Sequence, residues 1–145
     1  MQTVRDILNS KGQDLYSVTP DVSVFEALER LEERNIGVIL VIDTDGTLLG
    51  IFSERDYARK IVLKGRHSKT TPVREVMTRK VSCVSPDTTV ETCMALMTGK
   101  RIRHLPVLED GRLIGLVSIG DVVKATIEEK DLLIDQLEHY IMGSI

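Results

Sequence analysis

Apolar residues recur along this chain at two periods, and the whole order of periods occurs twice. Val24, Ala27, Leu28 and Leu31 fall at the i, i+3, i+4, i+7 spacing of one helical face, and Val90, Cys93, Met94 and Met97 repeat it. A short β-rich run follows each helix, VILVI in the first case and LPVL in the second. Each run leads through an Asp-Gly turn, TDG or EDG, into a further apolar run, LLGIF or LIGLV, so the pattern predicts two β-hairpins. The stretches after Asp56 (YARKIVLK) and after Asp121 (VVKATI) read as helices, and a short strand is expected ahead of each amphipathic helix. Each copy therefore predicts β-α-β-β-α, an α/β fold.

The copies can be laid over one another. Val18 to Asp56 matches Val84 to Asp121 with one residue dropped in the Asp-Gly turn. Val18, Pro20, Asp21, Val24, Ile36 and Val41 fall on Val84, Pro86, Asp87, Val90, Ile102 and Val107; Gly50, Ser53 and Asp56 fall on Gly115, Ser118 and Asp121. A lead-in precedes each: TVRDIL at Thr3 to Leu8 echoes PVREVM at Pro72 to Met77. Contiguous reading gives residues 1–66 as repeat 1 with its lead-in, 67–127 as repeat 2 with the polar linker, and 128–145 as a C-terminal helix. One repeat of roughly fifty residues buries little surface alone, so the two are expected to share a core about a pseudo-twofold axis.

Composition narrows the function classes. The 145 residues are 42% hydrophobic and 28% charged, in the range of soluble globular proteins, and no apolar run reaches the roughly 20 residues of a membrane span. The N-terminus has no apolar export segment, so the expected location is cytoplasmic and no membrane partner is expected. A net charge of −3 with two Phe, three Tyr and no Trp argues against a nucleic-acid surface. Cys83 and Cys93 form no C-x-x-C or Cys/His pattern and read as two reduced structural thiols.

The candidate chemistry lies in GIFSERD (Gly50 to Asp56) and GLVSIGD (Gly115 to Asp121), each placed where a strand gives way to a helix. A carboxylate accepts two hydrogen bonds from the vicinal hydroxyls of a ribose, and a Ser hydroxyl nearby serves a ribose or phosphate oxygen. Gly50 and Gly115 leave the strand bare, which would let a base approach the backbone. The plainer alternative is that Ser53, Asp56, Ser118 and Asp121 cap helices. His67, His104 and His139 sit in no zinc-type spacing, and there is no nucleophile elbow or Walker loop, so neither a catalytic residue nor a metal site is expected.

The repeat order, the PVREVMT linker, the run RIRHLPVLEDGRLIGLVS and the two G-h-h-S-x-x-D motifs together resemble the CBS-domain family, specifically a tandem pair, over almost the whole chain. The resemblance implies two packed CBS repeats that bind adenosine compounds such as AMP, ATP, NAD or S-adenosylmethionine in clefts between them. It implies no catalytic cofactor, with AMP or NAD as the bound ligand. By position, it places Ser53, Arg55 and Asp56 opposite Ser82, Cys83, Arg103 and His104. It likewise places Ser118, Ile119 and Asp121 opposite Tyr16, Ser17, Ile36 and Gly37. The first set gathers three potential cations, whereas Gly37, Val38 and Gly120 occupy the matching places in the second. The expected function is a non-enzymatic nucleotide sensor that signals occupancy to a regulated protein of unknown identity; the alternative is a ligand-independent structural pair. The tail EEKDLLIDQLEHYIMGSI carries Ile127, Leu132, Leu133, Leu137 and Ile141 at mixed helical spacing, so it either folds back on its own module or packs on another subunit, and with the family likeness a homodimer is expected.

Overall fold

The computed structural model describes residues 2–12 and 15–142. In chain order its elements are α1 (Val4–Lys11), β1 (Ser17–Val18), α2 (Val24–Arg34), β2 (Val38–Ile42), β3 (Leu48–Ser53), the single turn α3 (Glu54–Asp56) running into a π-helical stretch (Tyr57–Val62), a 3-10 turn (Val73–Glu75), α4 (Val90–Lys100), β4 (His104–Glu109), β5 (Arg112–Ser118) and α5 (Ile119–Met142). The mixed α/β reading in two repeats is therefore observed. Residues 1, 13 and 14 of the first expected segment and 143–145 of the last lie outside the described residues.

The chain divides into two compact units that are not its two halves. A central unit is the continuous stretch Asp14–Val81, and a composite unit joins Met1–Gln13 to Ser82–Ile145. The units thus exchange their lead-ins: the first lead-in joins the second repeat and the second lead-in joins the first. Backbone hydrogen bonds show why the exchange is specific. In the composite unit Val4 N–H donates to Thr88 O (2.9 Å), Arg5 N–H to Pro86 O (2.9 Å) and Val90 N–H to Gln2 O (3.0 Å). In the central unit the equivalent bonds run from Val73 to Val22 O (2.8 Å), from Arg74 to Pro20 O (3.1 Å) and from Val24 to Thr71 O (2.9 Å). The paired Arg side chains reach the matching acids, Arg5 to Asp87 and Arg74 to Asp21. The Pro-Asp turn that opens each repeat is therefore a socket for a lead-in.

The central unit has a three-stranded sheet in the order β1-β2-β3, with β1 parallel and β3 antiparallel to β2. Its core is Val18, Val24, Ala27, Leu31, Ile39, Val41, Phe52 and Ile61, closed by Val73, Val76 and Met77 of the lead-in. In the composite unit β4 and β5 form the antiparallel hairpin, and the expected strand at Ser82 and Cys83 shrinks to a single parallel bridge between Val84 and Val107. Val4, Ile7 and Leu8 of α1 join Val84, Val90, Cys93, Met97, Leu105, Val107, Val117, Val122 and Ala125 in its core. Helices α2 and α4 begin alike, with the Ser23 hydroxyl accepting from Glu26 N–H and the Thr89 hydroxyl from Thr92 N–H, both at 3.1 Å.

Two further expectations change. The helix after Asp56 is wound as a π-helix over Tyr57–Val62 rather than as an α-helix. No break separates repeat 2 from the tail at 127/128: α5 is one 24-residue helix, because nothing between Val122 and Met142 is a Pro or Gly that would end it.

The exchange predicts unequal fragments. Residues 14–81 carry a complete core with its lead-in and should unfold cooperatively on heating. Residues 1–66 lack Val73, Val76 and Met77 while leaving Val4, Ile7 and Leu8 without partners, and should be unfolded or aggregated. Equal melting transitions for the two fragments would contradict the exchanged packing.

Candidate functional site

The two Ser-x-x-Asp corners are built by the same local device. A strand ends at a Ser whose hydroxyl accepts the N–H of the residue three further on, and that residue's carboxylate returns a bond to the Ser N–H. At the first corner Asp56 N–H donates to Ser53 Oγ (3.2 Å) and Ser53 N–H to Asp56 Oδ2 (3.0 Å). At the second, Asp121 N–H donates to Ser118 Oγ (3.2 Å) and Ser118 N–H to Asp121 Oδ2 (2.8 Å). This is a capping box with Asp in the place of Glu. The capping alternative thus holds for all four residues, whatever else they do.

The corners differ in what remains of each carboxylate. Asp56 is 7% exposed, and both of its oxygens are in use: Oδ2 also accepts the Ser53 hydroxyl (3.1 Å), while Oδ1 accepts the Thr78 hydroxyl (3.0 Å) and pairs with the Lys60 ammonium (2.9 Å). Lys60 in turn donates to Val76 O at 2.8 Å. Asp121 has a side chain 23% exposed, and its Oδ2 accepts the Lys11 ammonium (2.7 Å), which also donates to Leu116 O (2.8 Å). Its Oδ1 has no partner among the described residues. The cation therefore comes from opposite sources: Ala125 stands where the first repeat has Lys60, and α1 supplies Lys11 instead.

Burial raises the Asp121 carboxyl, but the Lys11 ammonium and the Ser118 N–H and hydroxyl outweigh it and hold the group below the usual carboxylate range. His104 lies opposite Ser118 in the β4/β5 register. Burial pushes its imidazole below the ordinary value; Asp121 opposes the shift, and Lys11 and Arg103 add to it. This member of the three potential cations is therefore biased towards its neutral form.

The bare glycines have an occupant. A Cβ on Gly50 would come within 2.6 Å of Thr78 O and 3.1 Å of Met77 Sδ, and one on Gly115 within 2.6 Å of a Leu8 methyl. The lead-ins fill the space that the sequence reading assigned to a base. A two-way backbone bridge between Ile51 and Thr78 fixes the first of these contacts (Ile51 N–H to Thr78 O, 3.0 Å; Thr78 N–H to Ile51 O, 2.8 Å).

The remaining candidates group by unit. In the composite unit Ile119 N–H donates to Arg103 O (2.8 Å), so Arg103, His104, Ser118, Ile119 and Asp121 form one neighbourhood. Ser82 accepts from Lys100 (2.9 Å), and half-buried Cys83 has its thiol pushed up by burial. In the central unit Glu54 N–H donates to Gly37 O (3.3 Å), which sets Ile36 and Gly37 beside Ser53, while Arg55 is exposed. Tyr16 packs under the Arg34 guanidinium, 4.8 Å from its ring centre, and Ser17 pairs with Leu40. The expected sets joined Arg103 and His104 to Asp56, and Ile36 and Gly37 to Asp121. Within each unit the hairpin register sets Arg103 and His104 beside Ser118, and Gly37 beside Ser53, because the start of one strand must face the end of its partner. Sequence reasoning missed Lys60, Thr78 and Lys11. Lys60 was visible as an i+4 partner of Asp56; the other two depend on the lead-ins.

Among the described residues no cluster of His, Cys, Asp and Glu could hold a metal, and no helix is long and apolar enough to cross a membrane. Fold and corners together define a duplicated α/β module with one capped carboxylate per repeat. The CBS domain family matches residues 4–63 and 73–128, and the chain belongs to that family. It is 41% identical over 150 residues to the mitochondrial CBS domain-containing protein CBSX3 of Arabidopsis thaliana, covering 97% of this chain and 72% of that protein. A solved structure of a protein with CBS domains from Burkholderia ambifaria MC40-6 has a TM-score of 0.83 at 51% identity, covering 88% of this chain and 95% of that one. The structure of CBSX2 in complex with AMP has a TM-score of 0.74 at 31% identity, covering 90% and 99%.

The two titrating groups predict a stability profile. The unfolded chain binds a proton on His104 more readily than the folded one, so stability should fall as pH drops below about 6.5. The depressed Asp121 stabilises the fold above about pH 4, and that stability is lost as pH falls through its lower folded value. In urea titrations across pH, His104→Gln should flatten the upper step and Asp121→Asn the lower. An unchanged upper step in His104→Gln would remove the burial assignment.

Proposed function

We propose that this chain is a homodimeric, non-enzymatic regulatory pair that binds an adenine nucleotide of the AMP type at the Asp121 corner and signals its occupancy to a regulated protein. One observation carries the choice of corner: Asp121 is fixed by Oδ2 and its Oδ1 has no partner among the described residues, whereas both oxygens of Asp56 are spent inside the fold. A carboxylate with one anchored and one open oxygen is a ready acceptor for a ribose hydroxyl. Ser118, His104 and Ile119 border it, and Arg103 supplies a guanidinium for a phosphate. The 31%-identical relative solved with AMP supports this ligand class. NAD presents the same adenosine half and would be recognised by the same groups.

The alternative is a ligand-independent structural pair. What favours it is that Ser53 and Asp56 already have internal partners.

Calorimetric titration of AMP and adenosine separates the readings. Asp121→Ala should weaken AMP by about tenfold or more, roughly 1.4 kcal/mol, while leaving the chain folded. Arg103→Ala should weaken AMP but not adenosine, since a guanidinium contributes little to an uncharged nucleoside. Asp56→Ala should act mainly on stability, by about 1–3 kcal/mol, because it strips partners from Thr78, Ser53 and Lys60. Failure of AMP, ATP, NAD and S-adenosylmethionine alike to bind or raise the melting temperature at millimolar concentration would leave the structural pair.

A further inference from the structure

Only the first turns of α5 are held by the composite unit. Val122 and Ala125 are buried, whereas every residue from Asp131 to Met142 is exposed. Of the thirteen large hydrophobic residues exposed among those described, ten lie on this helix, which is more unpartnered apolar surface than a solitary helix keeps in water. Their order is regular. Val123, Ile127, Lys130, Ile134, Leu137 and Ile141 follow alternating steps of four and three, the seam of a helix that packs along its length on another helix. Over the N-terminal half of α5 the seam forms one wall of an open groove of about 700 Å³ that Arg103, Val123, Lys124 and Ile127 help to line. Over the C-terminal half it stands free.

We propose that the groove is filled by the C-terminal half of α5 from a second molecule of this chain, the two helices pairing antiparallel about a twofold axis. Val123 then meets the second molecule's Ile141, Ile127 meets its Leu137, and Lys130 meets its Ile134. The arrangement is self-complementary, so both grooves and both free halves are covered at once. Charge selects the direction. A parallel pair would set Lys130 against Lys130 in the seam. The antiparallel pair lays each Lys130 stem on an Ile, with its ammonium beside the second molecule's Asp131, and so offsets the two Asp131 carboxylates that meet near the axis. It also sets Lys124, on the cationic side of the groove, against the second molecule's Glu138, twice per dimer. This deepens the proposed self-association; because Arg103 and Ile119 line the groove and also border the Asp121 corner, its test is made without ligand.

Sedimentation velocity of the full chain from about 1 to 100 μM tests it. A dimer is expected that Ile134→Glu with Leu137→Glu converts to monomer without altering the melting of the folded body. Lys124→Glu and Glu138→Lys should each weaken the dimer by about tenfold, and the double variant should recover most of the loss. A monomeric full chain would overturn the self-association altogether. A dimer that survives the paired Glu substitutions, or single charge variants that the double does not rescue, would overturn the α5 pairing while leaving self-association through another surface.

Discussion

The contact on which the rest depends is a lead-in laid against a bare glycine in the second strand of a hairpin. At Gly50 the neighbour is the Thr78 carbonyl and at Gly115 a Leu8 methyl, each so near that a β-carbon would sit 2.6 Å away. Such close approach permits the buried apolar residues on either side, Met77 and Phe52 in one unit and Leu8 and Val117 in the other, to share one core. Because the second lead-in follows repeat 1 directly, the central unit is continuous. The composite unit must gather its two parts from opposite ends of the chain, around an insertion that is itself folded. The entropy of closing that gap grows only slowly with its length, and the α1 core residues, the backbone bonds to the Pro-Asp turn and the Arg5 ion pairs offset it.

The same exchange decides what each carboxylate can do. Two corners with the same Ser and Asp have been neutralised from different directions, by Lys60 on the following helix in one unit and by Lys11 on the lead-in in the other. Where Thr78 also contributes its hydroxyl, the acid is consumed as a structural group. Where no such hydroxyl is present, one oxygen remains. A diol that used both oxygens of Asp121 would have to displace Lys11, and with it the hold of α1 on Leu116 O. On the proposed reading, a ligand that bound in this way would loosen the docking of the first lead-in.

Much of this was legible from residue order alone. Periods of 3.6 and 2, the Asp-Gly turns and the cap residues Ser23 and Thr89 act over a few neighbours, and so the helices and hairpins appear where the pattern put them. The duplicated Ser-x-x-Asp corner was legible for the same reason. What was not legible acts over distance. Nothing in TVRDIL or PVREVM says which repeat it will serve, and reading each as the lead-in of the repeat it precedes suggests the wrong partner for both. The purpose of Gly50 and Gly115 follows from that choice, as do the roles of Lys11 and Thr78. The grouping of Arg103 and His104 with Ser118 followed from strand register, which fixes neighbours within a hairpin before any resemblance is consulted. The tail was read as a separate helix because the repeat stops near residue 127, but a helix ends only where a residue or contact stops it.

The exchange itself can be read directly by nuclear Overhauser spectroscopy on the full chain with labelled leucine, methionine and glycine. The structure predicts cross-peaks from the Leu8 methyls to the Gly115 α-protons and from the Met77 methyl to those of Gly50. Cross-peaks joining Leu8 to Gly50 and Met77 to Gly115 would mean that each lead-in serves the repeat it adjoins in the sequence reading, and would contradict the account.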